Sequence, residues 1–203
     1  MSCITVRGCA IGQGRPKVIL PIVEETQSAI LARGRAFAAL TADCVEFRAD
    51  WFEGWQDAAA LAQCLAGLRA AVGDKLLLVT LRTRAEGGRA EASFSAYAAF
   101  CRHVWESGCA DLVDLELFTA GAELPGMIAQ AHACGTAVVC SSHDFVRTPP
   151  QAEMVARMCA MQKAGADLPK LAVMPQSRRD VLALLAATAE MAELHPETPV
   201  ITM

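Results

Sequence analysis

A lysine stands inside an apolar run, Ala166-Asp167-Leu168-Pro169-Lys170-Leu171-Ala172-Val173-Met174-Pro175. An amine on a buried strand gives up the hydration of its charge, so it reaches solvent, finds a carboxylate, or becomes partly neutral with a lowered pKa. The neutral amine is a nucleophile. With a ketone it forms a Schiff base, which draws electrons from the neighbouring carbon and acidifies its proton. That chemistry needs a proton acceptor, and the best candidate is His143 in Val138-Val139-Cys140-Ser141-Ser142-His143-Asp144, where a second apolar run ends in polar residues. Taken alone, Lys170 also fits an edge or snorkelling position with its head in water.

Other ionisable residues stand at the ends of apolar runs. In Glu46-Phe47-Arg48, period-two alternation puts both charged side chains on one strand face, where they share a ligand or pair with each other. Arg82 opens Arg82-Thr83-Arg84-Ala85-Glu86-Gly87-Gly88, where a strand gives way to a loop. A guanidinium there suits an oxygen-rich ligand; a solvated loop arginine is the plainer alternative. Glu86 is placed to orient or tune a histidine across the mouth, or is simply solvated. Asp114-Leu115-Glu116 alternates too, with Glu116 a structural partner for a cation. Asp144 reads as a turn cap, and His103, His132 and His195 as surface residues.

These residues need elements to hold them. Lys17 to Val23 reads as a first buried strand whose unbroken apolarity suits a parallel sheet covered on both faces. Thr26 caps an alanine-rich helix to about Leu40, and Cys44 to Arg48 is a second strand. The alternation continues with a helix over Asp57–Ala71, a strand over Lys75–Arg82, a helix over Glu91–Ser107 and a strand over Asp111–Leu117. A helix over Met127–Cys134, a strand over Thr136–Ser141 and a helix over Gln151–Ala164 lead to the lysine strand. A long helix, Ser177–Leu194, and a seventh strand from Pro199 to Met203 follow. Even alternation leaves an open doubly wound sheet or a (β/α)8 barrel. The barrel is favoured because Val23-Glu24-Glu25-Thr26 carries no glycine for a phosphate loop. It is also favoured because a barrel gathers the ends of several strands into one site.

Composition narrows the rest. The 203 residues have room for one large domain, and 54% hydrophobic with 20% charged residues describes a packed globular chain. No apolar run is long enough for a membrane span, and the N-terminus lacks the build of a signal peptide, so the expected compartment is the cytoplasm. Nine scattered cysteines without a Cys-x-x-Cys pair read as reduced thiols rather than disulfides or a metal site. With a net charge of -4 and no basic stripe, the expected partner is a small molecule, not nucleic acid.

Glu46-Phe47-Arg48-Ala49-Asp50, Arg82-Thr83 with Glu86-Gly87-Gly88, Asp114-Leu115-Glu116-Leu117, the histidine segment, the lysine segment and Pro199-Val200-Ile201-Thr202-Met203 together resemble the type I 3-dehydroquinate dehydratases. The resemblance implies a TIM-type (β/α)8 barrel, residues 1–203 forming a single domain truncated after the seventh strand. It implies a lyase of the shikimate pathway that turns 3-dehydroquinate into 3-dehydroshikimate by loss of water, with no metal or organic cofactor, as a homodimer. By the same resemblance Lys170 attacks the C3 ketone. His143 removes a C2 proton and protonates the departing C1 hydroxyl, and Glu86 influences the histidine. Glu46, Phe47, Arg48 and Arg82 contact substrate. A histidine near its ordinary pKa of about 6.5 suits a group that accepts and donates in one cycle. Ser142 departs from the Asn, Tyr or His usual before the histidine. Family members also continue for about one and a half β/α units more, carrying an arginine, a serine and a glutamine for the substrate carboxylate. The expectation is therefore a truncated chain, or a barrel closed by association, with weakened substrate affinity. A class I aldolase and a non-catalytic ligand-sensing domain are the competing readings.

Overall fold

Continuous apolar runs need cover on both faces, and amphipathic helices between them supply it. The computed structural model describes residues 2–203 and alternates these elements as the runs require. A hairpin, β1 (Ile4–Val6) and β2 (Cys9–Ile11), precedes β3 (Ile19–Ile22), α1 (Gln27–Ala38), β4 (Cys44–Arg48), α2 (Ala58–Val72) and β5 (Leu76–Thr80). Then come α3 (Phe94–Glu106), β6 (Leu112–Glu116), the single turn α4 (Leu117–Ala120), α5 (Leu124–Ala133) and β7 (Ala137–Asp144). The chain ends with α6 (Gln151–Ala164), β8 (Leu168–Val173), α7 (Arg178–Leu194) and β9 (Ile201–Thr202). Strands β3 to β9 form one parallel sheet in sequential order, curled into a half-barrel. Thr26, Asp57 and Ser93 accept backbone N–H groups at the starts of α1, α2 and α3, and Ser177 with Asp180 forms a capping box on α7.

Three apolar clusters hold this arrangement. Between the sheet and α1 to α5 lies the largest, with Val45, Phe47, Leu65, Leu68, Leu77, Val79, Tyr97, Leu115 and Ile128 among its members. A second joins α6, α7 and β8 through Met154, Met158, Leu171, Ala187 and Met191. The third lies inside the curl, where Cys44, Leu76, Leu78, Leu112, Val139 and Leu168 pack under Ile4, Val6, Cys9 and Ile11 of the hairpin. The hairpin is thus a plug across the N-terminal ends of the strands. Its two three-residue strands are too short for the sequence pattern to reveal.

Two expected elements differ. The first strand is largely exposed rather than buried, because β3 pairs only with β4 and its other edge meets no strand among the described residues. An edge also tolerates Pro21, which has no N–H to donate. The helix expected from Met127 starts earlier, at Leu124: Pro125 occupies its first turn, where a missing N–H costs nothing. A cavity of about 460 Å³ opens between β3 and β9, lined by Ile19, Cys44, Leu76, Leu112, Leu168 and Ile201. It lies at the apolar level of the barrel, below the ionisable residues. Among the described residues no helix is long and apolar enough to cross a membrane.

Candidate active site

Strand alternation builds the site. On the inner face, each strand is apolar near the hairpin plug and polar toward its C-terminal end: Cys44, Glu46, Arg48 on β4; Leu78, Thr80 and then Arg82 after β5; Leu112, Asp114, Glu116 on β6; Val139, Ser141, His143 on β7; Leu168, Lys170, Ala172 on β8. Side chains two apart point the same way, so one register aligns all five sets. Ser141 pairs with Glu116 on one side and Lys170 on the other, and His143 pairs with Ala172. Lys170 and His143 therefore share a face, one step apart on neighbouring strands.

Arg82 is 3% exposed, not a loop arginine in solvent. Its Nη1 donates to Glu116 Oε1 at 2.8 Å and to Ser141 Oγ at 2.9 Å, while Nη2 lies 2.9 Å from Asp114 Oδ1. Glu116 also accepts from Thr83 N, Thr83 Oγ1 and Thr119 Oγ1, and its own N–H donates to the Tyr97 hydroxyl. Burial disfavours the Arg82 charge, but Asp114 and Glu116 more than offset this and its pKa rises. Burial alone raises a carboxylate; for Asp114, the positive charges of Arg82 and Lys170 reverse that, and its pKa falls.

His143 Nδ1 lies 2.8 Å from Glu86 Oε2, and the His143 backbone N–H reaches the same oxygen at 3.2 Å. Glu86, read as either solvated or placed to orient the histidine, is 4% exposed. The loop is a compact turn. Gly88 N bonds to Thr83 O, and a Cβ at Gly88 would lie 2.1 Å from the Arg82 carbonyl, so only glycine permits that approach. Gly87 has φ of +79° and carries the ring of Phe145 against it. Phe145 stacks on His143, ring centroids 6.0 Å apart at 8°. Burial and the neighbouring Arg82 and Lys170 push His143 down to about 3, well below the ordinary value expected. Burial and the nearby Glu116 push Glu86 up to about 8. At neutral pH both groups are then uncharged. The backbone N–H already makes Oε2 an acceptor, and the tautomer that matches it has Nδ1–H donating to Oε2 with the lone pair on Nε2.

Lys170 is half-buried and, among the described residues, Nζ forms no hydrogen bond or ion pair. Glu46 and Arg48 do not pair with each other. Glu46 Oε1 accepts from Thr80 Oγ1 at 2.7 Å, and Arg48 makes two bonds, of 2.8 and 2.9 Å, to the buried carboxylate of Asp50. Asp50 also accepts Arg89 N–H, tying the loop after β5 to the end of β4. Phe47, expected among the substrate contacts, points the other way: its fully buried ring lies on the helix side against Phe52, because odd and even positions of a strand face opposite sides. Ser142 likewise faces outward, toward Arg157. Asp144 accepts from Val146 and Arg147 N–H as a turn cap. Sequence reasoning gave no role to Asp50, Thr80, Ser141 or Phe145. Thr80 and Ser141 follow the period-two pattern and were open to discovery; Asp50 and Phe145 lie past the strand ends, where no periodicity applies.

A family model described as type I 3-dehydroquinase matches residues 18–203. The 3-dehydroquinate dehydratases of Salmonella paratyphi B and Salmonella heidelberg are 39% identical to the chain over all 203 residues, which span 81% of their length. The solved type I 3-dehydroquinate dehydratase of Clostridium difficile, with covalently modified comenic acid, superposes with a TM-score of 0.97 at 37% identity, covering 99% of this chain and 79% of that one. The 3-dehydroquinate dehydratase of Enterococcus faecalis gives 0.95 at 39% identity, covering 98% and 83%.

Proposed function

The chain belongs to the type I 3-dehydroquinase family, and from that premise we propose that it eliminates water from 3-dehydroquinate through a Schiff base on Lys170, with His143 as general base and acid. The observation that carries this reading is the registered pair on β7 and β8. An unpartnered amine and an imidazole with a free Nε2 share one inner face, one step apart. Lys170 Nζ adds to the C3 ketone, and loss of water from the carbinolamine leaves a cationic C=N bond. That bond draws electrons from C2, whose proton passes to His143 Nε2. The same proton leaves with the C1 hydroxyl as water, and hydrolysis of the imine frees Lys170 and the product, 3-dehydroshikimate.

A histidine held near 3 starts the cycle neutral, as a base must. As Nε2 takes the proton, Glu86 against Nδ1 and the negative Asp114 nearby stabilise the imidazolium. Phe145 and Gly87 keep water off the ring. Glu46 and Arg48 stand at the mouth with polar atoms for substrate hydroxyls, Arg48 fixed by its double bond to Asp50. Arg82 acts from behind, its charge facing His143 and Glu86. In the test, protein is incubated with 3-dehydroquinate, reduced with borohydride and digested. A mass adduct on Lys170 is expected, and its absence from correctly folded protein sinks the proposal.

A further inference from the structure

Two carboxylate oxygens in the site are buried without a hydrogen-bond partner, Glu86 Oε1 and Asp114 Oδ2. The first is uncharged at neutral pH, because burial raises the Glu86 pKa to about 8. The second belongs to an ion. Asp114 is held ionised, and an ionised oxygen removed from water without a donor is a standing cost.

The protein contacts of this carboxylate all fall on its other oxygen. Arg82 Nη2 and Ser141 Oγ meet Oδ1 at 2.9 and 2.7 Å, which fixes the group and leaves Oδ2 bare. Nearby donors are committed: Arg82 to Asp114, Glu116 and Ser141, and His143 Nδ1 to Glu86. Among the described residues Lys170 alone is uncommitted. It lies on β8 in register with Ser141 of β7, whose Oγ donates to Asp114 Oδ1, and after Arg82 it is the strongest cation acting on Asp114. It makes no ion pair with it in the free protein. Resting on the Schiff-base reading above, we propose that Asp114 Oδ2 accepts the N–H of the iminium formed on Lys170, as a catalytic counter-ion for that cation. Condensation of the amine with the ketone expels water and leaves one N–H on a planar, positively charged nitrogen. A carboxylate already pinned by two bonds meets that charge without reorganising, which favours the charged intermediate over the starting amine.

Asp114→Asn isolates the feature, because the amide keeps an Oδ1 acceptor for Arg82 and Ser141 and replaces Oδ2 with a group that cannot accept. In the full chain, borohydride is added at intervals after mixing with 3-dehydroquinate, and the Lys170 adduct is counted by mass. The expected result is an adduct that accumulates at least about tenfold more slowly than in wild type, with kcat falling as much and KM changing less. Wild-type accumulation and a kcat within about twofold in a folded variant overturn the proposal. If Asp114→Asn does not fold, the crystal structure of the reduced wild-type adduct decides. A secondary amine within about 3.2 Å of Oδ2 supports the contact, and one beyond about 4.5 Å refutes it. If wild type gives no Lys170 adduct at all, the Schiff-base reading itself fails, and this inference with it.

Discussion

The polar layer of the barrel has two halves. Around β5 and β6, Arg82, Glu116, Thr83, Thr119 and Tyr97 form a buried network in which Glu116 accepts from Arg82, from two groups of Thr83 and from Thr119. Around β7 and β8, Lys170 has no partner among the described residues and His143 uses only one ring nitrogen; Asp114 on β6 joins this open set through its unpartnered Oδ2. Both halves are built from ionisable residues at equivalent strand positions, so residue type does not separate them. Saturation does. A buried charge whose every valence is met holds the fold and sets the local field; one left open is free to meet substrate.

Replacing the open groups should abolish chemistry and spare the fold. Lys170→Ala is expected to lose the borohydride adduct and more than about 10³-fold in turnover, with a melting temperature within about 2 °C of wild type. His143→Ala should lower kcat by about 10²- to 10⁴-fold in a steady-state assay while an adduct on Lys170 still accumulates. The saturated half should behave in the opposite way. Arg82→Met leaves Asp114 and Glu116 buried without their cation, and chemical denaturation should report a loss of about 3 to 5 kcal/mol.

Glu86 and His143 sharpen the comparison through pH. His143, depressed to about 3, contributes stability present above about pH 6.5 and lost as pH falls toward 3. Glu86, raised from 4.5 to about 8, contributes stability present below 4.5 and lost as pH rises through 8. The two slopes oppose each other between 4.5 and 6.5, and only the Glu86 slope remains from 6.5 to 8. The melting temperature should therefore fall across that upper window, and Glu86→Gln should flatten the fall. Smallest of all, Ser142→Ala should change turnover by no more than about threefold, since that side chain faces α6 and accepts from Arg157 at 3.3 Å.

Much of this was legible beforehand. The β/α alternation, the parallel sheet, and the candidacy of Lys170 and His143 rest on apolar runs with ionisable residues at their ends, which is a local pattern; the role given to Glu86 came from the family resemblance. Glu46 with Arg48 shows the limit: the spacing correctly put both on one face, yet each found a partner elsewhere, Thr80 on the next strand and Asp50 beyond the strand end. Phe47 between them, placed among the substrate contacts by the resemblance, is sent by alternation to the helix side. The N-terminal hairpin escaped because three-residue strands carry no usable period.

What the sequence by itself determined is which side chains share the inner face and at what level, since period two is set by backbone geometry and needs no distant contact. Which of them are spent on one another was decided only by the tertiary structure. Curling brings β5, β6, β7 and β8 around a common axis, and only there does Arg82 take Asp114 and Glu116, Glu86 fold back onto His143, and Lys170 come out without a partner. Hydrogen-bond partners across strands depend on distances that no local pattern encodes, and burial makes those distances, rather than residue type, set the charge of each group.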